Sequence, residues 1–284
     1  MTSVPRDFSS AGRGIAAGDA VLLADVGNSR IKLARLATEG AADETGLPAI
    51  SHRQDFDSQA FRPENLERWL AGAAPGPAVI LVASVYEGAA ARLEAAMAEI
   101  SATRHRPVRQ RRINHTDLQL EVRLPEPERV GIDRLAGAAA ACLVRPPGAA
   151  FVLIDCGTAA TVDLVSAEGA FLGGAILPGP ALMARALAEG TSRLPAMASL
   201  ERAPLPAMPG RSTEAAIAAG VGFGIRGAIT RLEAEGRAAL GCGAVTILTG
   251  GWRAVIRDAV TDPIEIPDLV LAGIALAAPR ARAR

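Results

Sequence analysis

The 284-residue chain carries 30 basic and 30 acidic side chains, so no global field draws it to nucleic acid or to an anionic membrane, and it can bury a core without disulfide or metal staples. Its three cysteines, Cys142, Cys156 and Cys242, are far apart and lack CxxC spacing, which argues against a disulfide framework or a zinc site and for a reducing, cytoplasmic compartment. Half of the residues are hydrophobic but only 3% are aromatic, so the core must be built from closely packed small side chains.

Residues 1–20 mix Arg6, Asp7 and Arg13 with Ser, Gly and Ala and lack a continuous apolar run. They read as a disordered extension rather than a signal peptide. From Val21 to Leu36, VLLADVGNSRIKLARL reads as an apolar strand, a tight turn and a returning strand. Residues 37–63 read as a connecting loop, Ala78 to Val85 as a buried strand and Glu87 to Ile100 as an amphipathic helix. The basic run RHRPVRQRR, from Arg104 to Arg112, resembles a nucleic-acid patch in composition only. A solvated loop or a strand edge suits a neutral chain better. The Ala-rich stretch from Leu135 to Val144 predicts a buried helix, stopped by Pro146 and Pro147 and too short to span a bilayer.

Phe151 to Val165, FVLIDCGTAATVDLV, repeats the plan of the first hairpin: four apolar residues, Asp, one residue, Gly, a polar turn and a returning strand. Gly173 to Pro180 reads as Gly/Pro punctuation and residues 194–211 as a loop. Thr213 to Glu235 predicts a helix, Val245 to Leu248 a strand whose following Thr249-Gly250-Gly251 opens a helix, and Asp268 to Ala277 the last helix. Alternating strands and helices with one internal repeat predict an α/β fold of two similar domains, 21–130 and 131–284, facing a cleft.

The chemistry sits at the repeated turns. Asp25 ends an apolar strand, where a desolvated carboxylate needs compensation, and Gly27 lets backbone N–H groups approach phosphate oxygens. Asp25 would then hold Mg²⁺, which phosphoryl transfer needs to offset phosphate charge. A single such turn is equally an ordinary hairpin, but Asp155, Gly157, Thr158, Thr161 and Asp163 repeat it. Gly131-Ile132-Asp133-Arg134 opens a helix, so Asp133 reads either as an N-cap or as a base beside a guanidinium suited to a hydroxy acid. Thr213 reads as an N-cap on position alone. His52, His105 and His115 share no metal-ligand spacing.

Taken in order, DVGNSRIK, GIDR, DCGTAATVD, GGAILPG, STEAAIAAGVG and LTGG resemble the motif series of type III pantothenate kinases from about Val21 to Gly251. The resemblance implies a duplicated actin-like, ribonuclease H-like fold and transfer of the ATP γ-phosphate to the primary hydroxyl of pantothenate, the opening step of coenzyme A synthesis. It also implies a homodimer. Asp133 matches the family's proton acceptor, and Gly131, Ile132, Asp133 and Arg134 its pantothenate contacts. Asp25, Val26, Gly27, Asn28, Ser29, Arg30, Ile31 and Lys32 match the segment that holds ATP phosphates. Thr158 resembles an ATP contact, Asp155 the ligand of a potassium or ammonium ion, and Thr213 the substrate-binding threonine. Ser29 stands for a commoner Thr, and Leu124 and Leu135 stand where aromatics are usual. The rival reading is a non-catalytic actin-fold accessory protein, or another small-molecule kinase of the superfamily; retention of every acidic motif residue counts against the former.

Overall fold

A computed structural model describes residues 15, 18–37, 41–104, 107–197, 200–201, 205–241 and 243–278. The expected N-terminal extension lies outside them apart from residues 15 and 18–20, as do His105 and Cys242. In chain order the elements are β1 (Ala20–Val26), β2 (Arg30–Leu36), β3 (Ile50–Asp57), α1 (Pro63–Ala73), β4 (Ala78–Ser84), α2 (Glu87–Arg104), β5 (Val108–Arg112) and β6 (Glu121–Val122). They continue with α3 (Ile132–Val144), β7 (Phe151–Cys156), β8 (Ala159–Val165), β9 (Ala170–Pro178), α4 (Pro180–Gly190), α5 (Thr213–Leu240), β10 (Val245–Gly250), β11 (Ile264–Glu265) and α6 (Leu269–Ala275).

Both predicted hairpins form, and the duplication extends to whole sheets. One sheet runs β3-β2-β1-β4-β5 and the other β11-β10-β7-β8-β9-β6. In each, the first strand of the hairpin pairs antiparallel with its return strand and parallel with a later buried strand. Read from β9 to β11, the second sheet therefore repeats the first, with β6 added at its edge.

The described residues divide into two compact units: one holds those up to 120, 128–144 and those from 270 on, the other 121–127 and those between 145 and 269. A single cut after residue 130 does not describe them. Helix α3 and residues 270–278 pack with the first unit, because the small-residue face of α3 is matched by α6. Gly273 lies so close to the Ala136 carbonyl that a Cβ there would overlap it, the close approach that an Ala- and Gly-rich chain permits.

In the first unit, α2 buries Ala89, Leu93, Ala96 and Ile100 at helical spacing against Leu22, Ile80 and Val82 of the sheet. In the second, Ile225 and Ile229 of α5 pack on Val152, Ile154 and Val162. Three expectations need correction. The segment 37–63 contains β3, an edge strand whose sequence ISHRQDFD lacks apolar alternation and which exists through its pairing with β2. The segment 173–180 is mostly strand, β9, because β8 supplies its ladder. Thr249-Gly250-Gly251 leads into short 3₁₀ turns at Arg253–Val255 and Arg257–Ala259 rather than a helix. Residues 108–112 of the basic run form the edge strand β5, and the arginines there are spent within the fold: Arg109 pairs with Asp19, Arg111 with Asp117 and Arg112 with Glu87.

Candidate active site

In the first unit, Asp25 occupies the buried end of β1, only 6% exposed, and Lys32 lies across the hairpin in direct register with it. The Lys32 ammonium donates to Asp25 Oδ2 at 2.8 Å, which compensates the buried charge. The turn between them is short, with Gly27 N–H donating to the Arg30 carbonyl at 2.9 Å and Asn28 and Ser29 exposed.

Asp133 lies in the first turn of α3, behind Gly131 and Ile132. It is not the N-cap: its Oδ1 accepts from the backbone N–H of Arg134 at 2.8 Å. A Cβ on residue 131 would stand 2.6 Å from that same Oδ1, so only glycine leaves room for the carboxylate in this position. Burial raises the Asp133 carboxyl above the ordinary Asp value, and the charge of Asp25 raises it further. The bond from Arg134 and the charges of Arg134 and Lys32 oppose the rise without cancelling it. The first unit thus brings Asp133, a carboxyl of raised proton affinity, within the electrostatic reach of the Asp25–Lys32 pair.

Beside Gly131, a pocket of about 680 Å³ opens at the ends of β4 and β5. Val82, Ile113, Val130 and Ile132 line its apolar part, and His115 and Arg129 are among its polar residues. His115, to which the sequence assigned nothing, is half-buried there.

The second unit assembles the other motifs around the second hairpin. Asp155 pairs with Thr161 on β8 and with Thr249 on β10, so a carboxylate and two hydroxyls share one face of the sheet. The Gly251 N–H donates to the Cys156 carbonyl at 2.8 Å, which draws the LTGG segment against the hairpin. Burial, with Asp155 adjacent, pushes the thiol of the fully buried Cys156 well above its ordinary value, which suits an inert core residue. Cys142 is only half-buried. Asp163 is fully buried opposite Gly174, whose lack of a side chain leaves space for it.

Thr213 is the first residue of α5, and the cap belongs to Ser212, whose Oγ accepts from Ala215 N–H at 3.1 Å. The capping account of Thr213 therefore falls, and its exposed side chain remains open to a ligand role. Leu135 is buried in the core, while Leu124 lies over Gly173 in the second unit. Sequence reasoning passed over the residues that hold the turns. Ser58, which is fully buried, donates through Oγ to the Gly27 carbonyl, and Trp252 donates through Nε1 to the Gly157 carbonyl, each at 2.7 Å. Neither lies in a motif with a recognisable signature.

A profile of the family described as Type III pantothenate kinase matches residues 21–235. A Type III pantothenate kinase of Halorhodospira halophila is 39% identical over 260 residues, covering 89% of this chain and 95% of that protein. One from Rhodopirellula baltica is 41% identical over 196 residues, covering 67% and 68%. Among solved structures, a candidate Baf family transcriptional activator from Campylobacter jejuni superposes with a TM-score of 0.52 at 19% identity, covering 90% of this chain and 96% of that one. A protein described as a 2-dehydro-3-deoxygalactonokinase from Sinorhizobium meliloti gives 0.50 at 18%, covering 90% and 97%. At such identities these structures establish the fold alone, the duplicated α/β architecture of the actin-like fold. With the matching profile spanning both hairpins, GIDR and most of α5, the chain belongs to the type III pantothenate kinase family.

Proposed function

We infer that this chain phosphorylates pantothenate with ATP to give 4'-phosphopantothenate, the first step of coenzyme A biosynthesis. The observation that carries this reading is Asp133, a carboxylate of raised proton affinity held over Gly131 beside the Asp25–Lys32 turn. The primary hydroxyl oxygen of pantothenate attacks the γ-phosphorus of ATP, its proton passes to Asp133 and ADP departs. Residues Asp25 to Lys32 hold the phosphates through backbone N–H groups and the Lys32 charge, with Thr158 a second ATP contact. Gly131 to Arg134 and Thr213 hold the acceptor. Arg134 suits its carboxylate, and the apolar side of the pocket beside Gly131 suits its dimethyl group.

Asp25 fits Mg²⁺ delivered with the nucleotide, because this ion takes one or two carboxylates together with substrate phosphates. Among the described residues no cluster of three or more His, Cys, Asp or Glu forms a metal cage of its own, as that mode requires none. Bound there, Mg²⁺ would neutralise phosphate charge. Asp155 fits potassium or ammonium, since Thr161 and Thr249 add oxygens on the same face. The protein acts in the cytoplasm as a homodimer joined through its second half. Leu172, Ile176, Leu187, Leu205, Met208 and Phe223, all in that half, are exposed and support the pairing.

The test is phosphorylation of pantothenate by purified protein and ATP, in potassium, ammonium or sodium buffer. Product in the first two and little in sodium is expected. No phosphopantothenate in any buffer would exclude the activity, and equal rates in all three would exclude the cation site.

A further inference from the structure

The two turns that the proposed reaction uses are held by the same device built from unrelated residues. In the first unit, Ser58 reaches the turn from the end of β3. Its Oγ–H donates to the Gly27 carbonyl at 2.7 Å and its N–H to the Ser29 carbonyl at 3.0 Å. Ser58 is itself fixed from behind: Arg92 of α2 donates to its carbonyl through Nε at 2.9 Å and Nη2 at 2.6 Å, while its guanidinium lies 5.8 Å from the Tyr86 ring centre. In the second unit, Trp252 Nε1–H donates to the Gly157 carbonyl at 2.7 Å, and Gly179 N–H to the Thr158 carbonyl at 3.0 Å. Trp252 is only 2% exposed, so its indole cannot drift.

In both turns, then, an outside donor takes the carbonyl of the glycine that follows Asp-x. A trans peptide unit is planar, with its N–H antiparallel to its C=O. Tying back the Gly27 carbonyl therefore turns the Asn28 N–H away from Ser58, and tying back Gly157 turns the Thr158 N–H away from Trp252. Among the described residues the Asn28 N–H has no protein partner, although it is exposed at the tip of the turn. An outward N–H held without reorganisation is what a phosphate oxygen requires.

We propose that Ser58, backed by Arg92, and Trp252 are positioning residues that aim the two turns at the nucleotide phosphates. They touch no substrate, and they fix the turn carbonyls so that the opposing N–H groups are preset. The inference rests on the reading of those turns as phosphate sites.

Ser58→Ala and Trp252→Phe each delete one donor while keeping the site filled, and KM for ATP is measured beside KM for pantothenate. Each is expected to raise KM for ATP about fivefold, the scale of one uncharged hydrogen bond, with KM for pantothenate changed by less than about twofold. Lys32→Ala, which removes the turn's own cation, serves as the reference and is expected to raise KM for ATP more. An unchanged ATP KM in Ser58→Ala and Trp252→Phe, with a raised one in Lys32→Ala, overturns the proposal and leaves the phosphate reading standing. No change in all three overturns the phosphate reading itself. Equal rises in both KM values mean general loss of structure and also overturn the proposal. If Ser58→Ala does not fold, Arg92→Gln, which frees Ser58 from behind, must give the same selective rise in ATP KM or the proposal fails.

Discussion

An ionised Asp133 is the form a proton acceptor must take, and its surroundings disfavour that form through burial and the nearby charge of Asp25. The folded protein therefore binds this proton more tightly than the unfolded chain does. Between the ordinary Asp value and the raised one the native state carries the extra proton, so stability linked to Asp133 falls as pH rises through that window. At neutral pH the carboxylate is a net cost to folding. Asp133→Asn keeps the oxygen that accepts from Arg134 and removes the charge. It is expected to raise Tm at pH 7, an advantage that disappears below about pH 4 where the native group is already neutral. The same substitution should lower kcat by ~10²–10⁴-fold, the usual contribution of a positioned base. A variant that gains no stability at pH 7 would show that burial does not penalise this charge, and one with parental kcat would remove Asp133 from proton transfer. The acid limb of kcat in the parent should lie above the ordinary Asp range.

At the scale of the element, α5 is the most exposed to misreading, because by length and composition alone it could cross a membrane. Its surroundings explain its apolar character otherwise. Ile225 and Ile229 pack on the second sheet, and Glu233, one turn further on and only 2% exposed, is fully engaged. Thr246 Oγ1 donates to Glu233 Oε1 at 2.5 Å, and the Thr261 N–H donates to its two carboxylate oxygens at 3.0 and 3.2 Å. One buried side chain thus ties α5 to β10 and to the segment after the 3₁₀ turns. Glu233→Ala leaves the buried Thr246 hydroxyl and the Thr261 N–H without their acceptor and is expected to cost about 2 kcal/mol, read as a lowered urea midpoint with unchanged slope. Glu233→Gln, which keeps an acceptor, should cost less. Ala and Gln variants of equal stability would dismiss the carboxylate as the tie.

For the whole molecule, the proposed homodimer has a direct consequence. The exposed apolar side chains of the second unit include Ile176, 63% exposed, and Met208, 68% exposed. Side chains of that size so exposed are costly in isolation and gain when a second copy covers them. Light scattering should give twice the chain mass at working concentration, and Ile176→Glu should shift the mass toward the monomer. A monomeric parent with full activity would end the proposal. If the dimer completes the acceptor site, the monomeric variant should lose affinity for pantothenate more than for ATP. That outcome would also explain how the protein manages with Leu135 buried in α3 and Leu124 lying over Gly173 where aromatics are usual.

The sequence by itself determined the two hairpins, because an apolar run, Asp-x-Gly and a polar turn specify local geometry within about fifteen residues. It also determined the motif order that identifies the family and the presence of helices α2, α3 and α5, while α1 escaped it despite its apolar face. Two strands escaped it: the edge strand β3 and the inner strand β9 have no strand-like pattern of their own and form because β2 and β8 offer unpaired ladders. So did the division into units, since α3 and residues 270–278 join the first unit through a close approach of small residues separated by more than a hundred positions. The tertiary structure alone decided that Ser212 and not Thr213 caps α5, that Gly131 makes room for Asp133, and that Ser58 and Trp252 hold the turns. The first two are local geometries that several nearby residues could have supplied, whereas the Ser58 and Trp252 bonds join distant segments, and no local propensity encodes a partner that arrives only when the chain has folded.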